Sequence, residues 1–168
     1  MQYTQEQFCE CYTGRKRTIY EAAAAAVTAT GVERQHSFIK PFVKAEKFTK
    51  DGAVPRVIQT RDPKYHISVG VYLKPMEHHM FSFIDSIFES KTVMKGLNAD
   101  KPGAEIARKW HRFSSPVALA LDVSRFDQHV SAQALRWEHS IYLAFTTPDE
   151  RRFLSKLLNW QIDNKGYG

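Results

Sequence analysis

The sequence predicts an α+β chain of about one domain, and three stretches carry that prediction. The alanine run at residues 22–26 has the highest intrinsic helix propensity available. Residues 38–73 alternate short apolar pairs with charges and are broken by Pro41, Gly52, Pro55, Pro63 and Gly70, the pattern of short, exposed strands and loops. Residues 116–121 form an unbroken apolar run between a proline and an aspartate, which suits a strand buried on both faces at the centre of a sheet. With 168 residues, 43% of them hydrophobic, the chain has enough apolar side chain to pack a core.

Taken in order, residues 1–10 are polar and lack the charged-then-apolar layout of a signal peptide. Cys9 and Cys11 lie too close to staple a fold and have no second thiol pair or suitably spaced histidines, so they read as ordinary cysteines in a reducing setting. A helix is expected over residues 19–30, with Gly31 placed to cap its end. The cluster Gly14-Arg15-Lys16-Arg17 precedes it on a loop or first turn. That is the positive end of the helix dipole, where cations call for an anionic partner or simply face water.

Residues 81–88 read as a short helix with Phe81, Ile84 and Phe88 on one face, and residues 104–113 as another with Ile106, Trp110 and Phe113 inward. Ser131 is placed to cap a helix running to about Phe145. Thr147-Pro148-Asp149-Glu150 is a capping box with proline at the first helical position, opening a helix that carries Phe153, Leu157, Leu158 and Trp160. Residues 164–168 are loop-like, and the chain is expected to be a piece of a longer one. No stretch is long and apolar enough for a membrane span in this segment.

The charge balance, 24 Lys plus Arg against 18 Asp plus Glu for a formal +6, favours polyanionic partners such as nucleic acid or phosphorylated substrates. The strongest local signal is Asp122-Val123-Ser124-Arg125-Phe126-Asp127, a carboxylate at the end of the apolar run followed by a second one. Strand parity sends the two to opposite faces, so both reach one site only if the chain bends at residues 124–126. A carboxylate in that position is costly unless paired or metal-bound, which makes Asp122 a natural Mg²⁺ ligand. The alternative is that Asp122 begins a turn and Asp127 caps the next helix.

The second signal is the series Lys44, Lys47, Lys50, Arg56, Arg61 and Lys64, interleaved with aromatics and prolines. Arg supplies a planar fork and Lys a point charge, so such a platform can line a path for triphosphate or nucleic-acid backbone, although a solvated strand face has the same composition. His78 and His79 are adjacent, so their rings diverge on a helix and read as structural or surface groups. No nucleophile elbow, Walker-type glycine loop or dinucleotide fingerprint is present, which removes most hydrolase and P-loop readings.

In combination these residues resemble a known family. Leu121-Asp122-Val123-Ser124-Arg125-Phe126-Asp127-Gln128-His129-Val130-Ser131 is similar to motif A of tombusvirus-like (carmovirus-type) viral RNA-dependent RNA polymerases. Phe42-Val43-Lys44-Ala45-Glu46-Lys47-Phe48 followed by Pro55-Arg56-Val57-Ile58-Gln59-Thr60-Arg61 resembles the family's basic fingertip motif F. Gly14-Arg15-Lys16-Arg17 with Tyr20, and Lys95-Gly96-Leu97-Asn98 leading to Lys109-Trp110, match in order and spacing, so the resemblance covers nearly the whole chain from about Tyr12.

The resemblance implies that Asp122 is the catalytic aspartate that binds the metals, with the backbone carbonyl of Val123 as a further ligand, and that Asp127 senses the ribose 2′-hydroxyl. It implies that Lys44, Lys47, Arg56 and Arg61 line the nucleotide entry path and hold the triphosphate. The implied cofactor is Mg²⁺, for which Mn²⁺ can substitute. The implied partners are RNA template and nascent strand, nucleoside triphosphates and the remainder of the polymerase chain, in a viral replication complex in the host cytoplasm.

The family continues with a Ser-Gly-rich motif B and a Gly-Asp-Asp that this sequence does not contain, and Asp100-Lys101-Pro102-Gly103 departs from the acidic-Arg-Gly expected there. The expectation is therefore an α+β fragment of a right-hand polymerase, the fingers plus the motif A strand of the palm, inactive alone. Residues 1–89 would be fingers with the basic fingertip motif, 90–129 the palm segment with motif A, and 130–168 the return into the fingers, truncated before motif B. The alternatives are a non-catalytic RNA-binding module with both aspartates structural, and a Mg²⁺-dependent phosphohydrolase using Asp122.

Overall fold

A computed structural model describes residues 2–47, 52 and 54–167, a mixture of helices with one small sheet. The chain divides into two compact units, Met1–Met76 with Ser131–Gly168, and Glu77–Val130. In the first, α1 (Gln5–Glu10) leads into α2 (Gly14–Thr30), a 3-10 turn (Arg34–Ser37) and the strands β1 (Lys40–Val43) and β2 (Val57–Thr60). There follow α3 (Pro63–Ile87), whose first half belongs to this unit, then α6 (Ala132–Ala144) and α7 (Pro148–Ile162) after the second unit has supplied α4 (Asp100–Trp110) and α5 (Phe126–His129).

Several helix ends form where local chemistry predicts. The Gly31 N–H closes α2 on the Val27 carbonyl at 2.7 Å, with the glycine in a positive-φ conformation that a Cβ would strain. Ser131 caps α6 by accepting from the Ala134 N–H, and Thr147 with Glu150 forms the reciprocal capping box of α7. The cluster Arg15-Lys16-Arg17 lies in the first turn of α2. α1, absent from the expectations above, carries the same device: Thr4 Oγ1 accepts from the Gln7 N–H at 3.1 Å and Gln7 Oε1 from the Thr4 N–H at 2.8 Å.

Residues 63–73 correct the expectation of an exposed, extended segment. They are the most deeply buried part of a 25-residue helix, with Tyr65, Ile67, Val69, Val71, Tyr72 and Met76 all in the core. Asp62 starts the helix by accepting from the Lys64 N–H at 2.9 Å, with Pro63 at the first position. Gly70, read as a breaker, and Pro75 within the same helix are each compensated from a distance. A Cβ on Gly70 would stand 2.3 Å from Phe8 Cε2, so the missing side chain is the seat of a buried ring that also packs on Tyr12 and Tyr20. Pro75 has no N–H to give the Val71 carbonyl, and the Tyr3 N–H takes that acceptor at 2.8 Å. On its other side α3 meets α7, where the Tyr65 hydroxyl donates to the Leu157 carbonyl at 2.7 Å and Leu154, Leu157 and Leu158 are fully buried.

In the second unit, the C-terminal half of α3 contains the short helix expected over residues 81–88, with Phe81 and Ile84 half-buried and Phe88 exposed. Asp85 organises the following turn, pairing with Lys91 and accepting from the Thr92 and Val93 N–H groups, and these bonds, the Lys91 one foremost, hold its carboxyl down at about 2. Two expectations are corrected here. Ile106, Trp110 and Phe113 are exposed rather than inward, and α4 buries none of its residues. The run over residues 116–121 is no buried strand: Val117, Leu119 and Leu121 are 80–88% exposed, and among the described residues no segment pairs with it. A strand exists only through its neighbours, so apolar composition alone cannot make one.

Gly70→Ala tests the packing of α3 on α1. Alanine in an ordinary helical site gains about 1 kcal/mol over glycine, but overpacking a buried ring costs about 1–3 kcal/mol. A net loss of up to about 2 kcal/mol is expected, read as faster hydrogen exchange of the residue 65–76 amides. Slower exchange would show that Phe8 does not occupy this seat.

Candidate functional site

The basic segment is built on the hairpin. β1 and β2 pair antiparallel with Lys40 opposite Thr60 and Val43 opposite Val57, and the Lys44 N–H extends the ladder to the Arg56 carbonyl at 2.8 Å. This brings Lys44 and Arg56 side by side at the loop end of the ribbon. Glu46 stands between them: Arg56 donates Nε to it at 2.7 Å and a second guanidinium nitrogen as well, and Lys44 Nζ lies 3.1 Å away. The Arg56 fork, more than Lys44, holds the Glu46 carboxyl down at about 2. Both cations keep solvent-facing surface, Lys44 at 43% and Arg56 at 65% of the side chain. Lys47 is exposed beside them, while Lys50 lies outside the described residues.

Arg61 differs. It is half-buried just after β2, donates Nε to the Ser37 carbonyl at 2.8 Å and a second nitrogen to the Asn164 side chain, and lies 5.7 Å from the Tyr65 ring. Burial pushes its guanidinium down from the ordinary arginine value. Lys64 is half-buried in the first turn of α3. Near the start of α2, Lys16 Nζ sits 4.5 Å from the Tyr12 ring centroid and 5.9 Å from that of Tyr20, and Arg17 pairs with Glu21 at 2.7 Å.

The aspartates belong to the second unit. Asp122 and Val123 are exposed in irregular backbone after the apolar run. The bend that parity requires is present: Ser124 and Arg125 form a turn with Arg125 left-handed at φ 53° and ψ 41°, and Asp127 lies exposed in the first turn of α5. A non-glycine residue held there is a local constraint of the sort found at functional turns. Among the described residues no cluster of three or more His, Cys, Asp or Glu could hold a metal. What the segment offers is a carboxylate and an adjacent carbonyl, hard oxygen donors of the type Mg²⁺ or Mn²⁺ takes, in the small number that Mg²⁺ combines with water and phosphate. Lys95 is paired with Glu77 and lies 5.4 Å from the Phe81 ring, and Lys109 Nζ donates to the Lys91 carbonyl. His78 and His79 are exposed, with ring centroids 6.4 Å apart.

Sequence reasoning gave no role to Glu46 or Asn164. Glu46 carried a signal, an acid lodged between Lys44 and Lys47. Asn164 carried none, since its partner Arg61 is 103 residues away.

Comparison with known proteins adds a second line of observation. The model of a family described as "Viral RNA dependent RNA polymerase" matches residues 1–168. The RNA-directed RNA polymerase of Melon necrotic spot virus is 45% identical over 165 residues, 96% of this chain and 21% of that protein. Those of Carnation mottle virus and Turnip crinkle virus are 47% identical over 162 residues and 46% over 167, covering 95% and 97% of this chain and 21% of each relative. The chain thus spans about a fifth of the length of these curated relatives. No solved structure matches it.

Glu46→Gln tests whether the hairpin cations meet phosphate. Removing the internal counter-charge leaves Lys44 and Arg56 to recruit anions, so the slope of log K for single-stranded RNA against log salt becomes steeper. An unchanged slope would mean that these cations do not contact the backbone.

Proposed function

The chain belongs to the viral RNA-dependent RNA polymerase family, and on that premise we propose that it forms part of an enzyme copying viral RNA by template-directed nucleotidyl transfer. Its fold supports a place in the fingers and the start of the palm of a right-hand polymerase. The proposed segments are 1–89 for the fingers with the basic hairpin, 90–129 for the palm with Asp122, and 130–168 for the return into the fingers. The packing of residues 131–168 in the same unit as residues 1–76 supports that return. The proposed setting is a viral replication complex in the host cytoplasm, and among the described residues no helix is long and apolar enough to cross a membrane.

In the reaction, the 3′-hydroxyl oxygen of the nascent strand bonds to the α-phosphorus of an incoming nucleoside triphosphate, the bond to the β-phosphate oxygen breaks, and pyrophosphate leaves. Positioning and electrostatics supply most of the catalysis in such transfers. Lys44, Lys47 and Arg56 offer exposed cations to the triphosphate, with Arg61 at the base of the same ribbon. Exchanging Glu46 for phosphate oxygens keeps Lys44 and Arg56 paired throughout, so neither is left uncompensated when the nucleotide departs.

Asp122 and the Val123 carbonyl would hold Mg²⁺ or Mn²⁺, whose chemistry when bound is to neutralise charge on the phosphate oxygens and favour the attacking alkoxide. Asp127, five residues on across the Arg125 turn, is placed to read the ribose 2′-hydroxyl. One carboxylate is too few to assemble the site, so the segment alone is inactive on this reading. The observation that carries the proposal is the Asp122–Asp127 turn, with its exposed carboxylates on either side of a left-handed residue, within a chain of this family.

Two substitutions in the intact polymerase test the division of roles. Asp122→Asn removes the charge that would hold metal, so incorporation of every nucleotide falls by about 10²–10³-fold, with RNA binding retained. Asp127→Asn lowers the ratio of kcat/KM for ribo- over deoxyribonucleotides and keeps residual activity in Mn²⁺. Near-normal turnover in Asp122→Asn, or lost activity without altered sugar selectivity in Asp127→Asn, would overturn the assignment.

A further inference from the structure

Among the cations of the basic segment, Arg61 has a different environment from the others, and that environment defines a role. Its Nε donates to the Ser37 carbonyl at 2.8 Å, and Ser37 is buried. A second guanidinium nitrogen donates to Asn164, which follows α7. Its guanidinium carbon lies 5.7 Å from the ring centroid of Tyr65, whose hydroxyl donates to the Leu157 carbonyl. One side chain therefore ties together the turn before β1, the end of β2, the start of α3 and the segment after α7.

That last segment is itself firmly placed. Asp163 pairs with Arg34, the Ile39 N–H donates to the Lys165 carbonyl at 2.8 Å, and the Tyr167 N–H donates to the Ile39 carbonyl at 3.1 Å. Ile39 and Gly166 form a parallel bridge, and the Phe38 and Tyr167 rings are 5.8 Å apart. The pairing stops at Pro41, which has no N–H to continue it. The base of the hairpin is thus held by the residue 163–167 segment at one edge and by Arg61 beneath it.

We propose that Arg61 is a positioning residue: its fork locks the base of the hairpin to Asn164 and Ser37, and so aims Lys44 and Arg56 at the triphosphate, without itself contacting phosphate. This rests on the nucleotide-binding reading given above. The Ser37 carbonyl and the Asn164 amide oxygen that Arg61 meets are neutral, and moving the fork to a phosphate would strip both of their donor. Lys44 and Arg56 carry no such cost, because water and phosphate both replace Glu46 readily at their exposed positions. Losing the lock leaves the hairpin cations present but poorly aimed, so substrate binding weakens before chemistry does.

The test uses the intact polymerase that carries this segment, with steady-state incorporation and the salt dependence of RNA binding as readouts. If the unsubstituted enzyme incorporates no nucleotide, the polymerase reading fails, whatever Arg61 does. If it is active, Arg61→Ala is expected to raise KM for the nucleoside triphosphate about tenfold and Asn164→Ala about threefold, with kcat within about twofold. The double variant is expected to be no worse than Arg61→Ala, since both changes break one contact. Arg61→Lys is expected to fail like alanine, because a point charge cannot bridge two acceptors in a fork, and the salt slope of RNA binding stays unchanged. Multiplying effects in the double variant, full rescue by lysine, or a slope reduced by about one would instead identify Arg61 as a phosphate ligand. Should Arg61→Ala fail to fold, the lysine and Asn164 variants carry the same decision.

Discussion

The buried face of α3 is the constraint from which the first unit takes its form. Tyr65, Ile67, Val69, Val71, Tyr72 and Met76 are withdrawn from water, each such side chain worth about 1.5–3 kcal/mol. The ion pairs around them, such as Arg17 with Glu21 or Lys40 with Asp62, are screened by water on at least one side and contribute far less. Burial therefore sets the frame and the charges decorate it. A helix buried on several sides needs neighbours, and α3 has them: Phe8 of α1 seated over Gly70, the Tyr3 N–H on the carbonyl that Pro75 leaves free, and Leu157 of α7 against Tyr65.

The hairpin inherits its place from that frame. Asp62 begins α3 and pairs with Lys40 of β1, and Arg61 beside it reaches across to Asn164, so strand, helix and the residue 163–167 segment meet within three residues of one another in the chain, 60–62. Farther along the ribbon nothing buries Lys44, Lys47 or Arg56, and Glu46 is their internal counter-charge. A rigid base and an exposed basic tip are what an electrostatic clamp for phosphate requires: the base supplies preorganisation and the tip supplies charge.

How legible each part was in the sequence follows from the range of the interactions that make it. The ends of α2, α6 and α7 depend on residues within four positions, and Gly31, Ser131 and the Thr147 to Glu150 box could be read directly; Thr4 and Gln7 offered the same signature. Gly70 misled because its compensating partner, Phe8, lies more than sixty residues away in the chain. The apolar run at 116–121 misled for the opposite reason: its composition suits a strand, but no described segment supplies the hydrogen bonds. Of the candidate site, a turn after Asp122 is one of two readings the sequence leaves open, and the basic series comes from composition. That Arg61 stands apart within that series depends on Ser37 and Asn164, and no local pattern contains it.

The claim that the basic hairpin receives the triphosphate can be tested most directly by photocrosslinking the intact polymerase with a nucleoside triphosphate carrying a photoreactive group on its γ-phosphate, followed by mass mapping of the adducts. The account predicts adducts concentrated on residues 43–47 and 55–57 and displaced by unlabelled nucleotide. Displaceable adducts confined to other basic surfaces, such as Arg15 to Arg17, would contradict it.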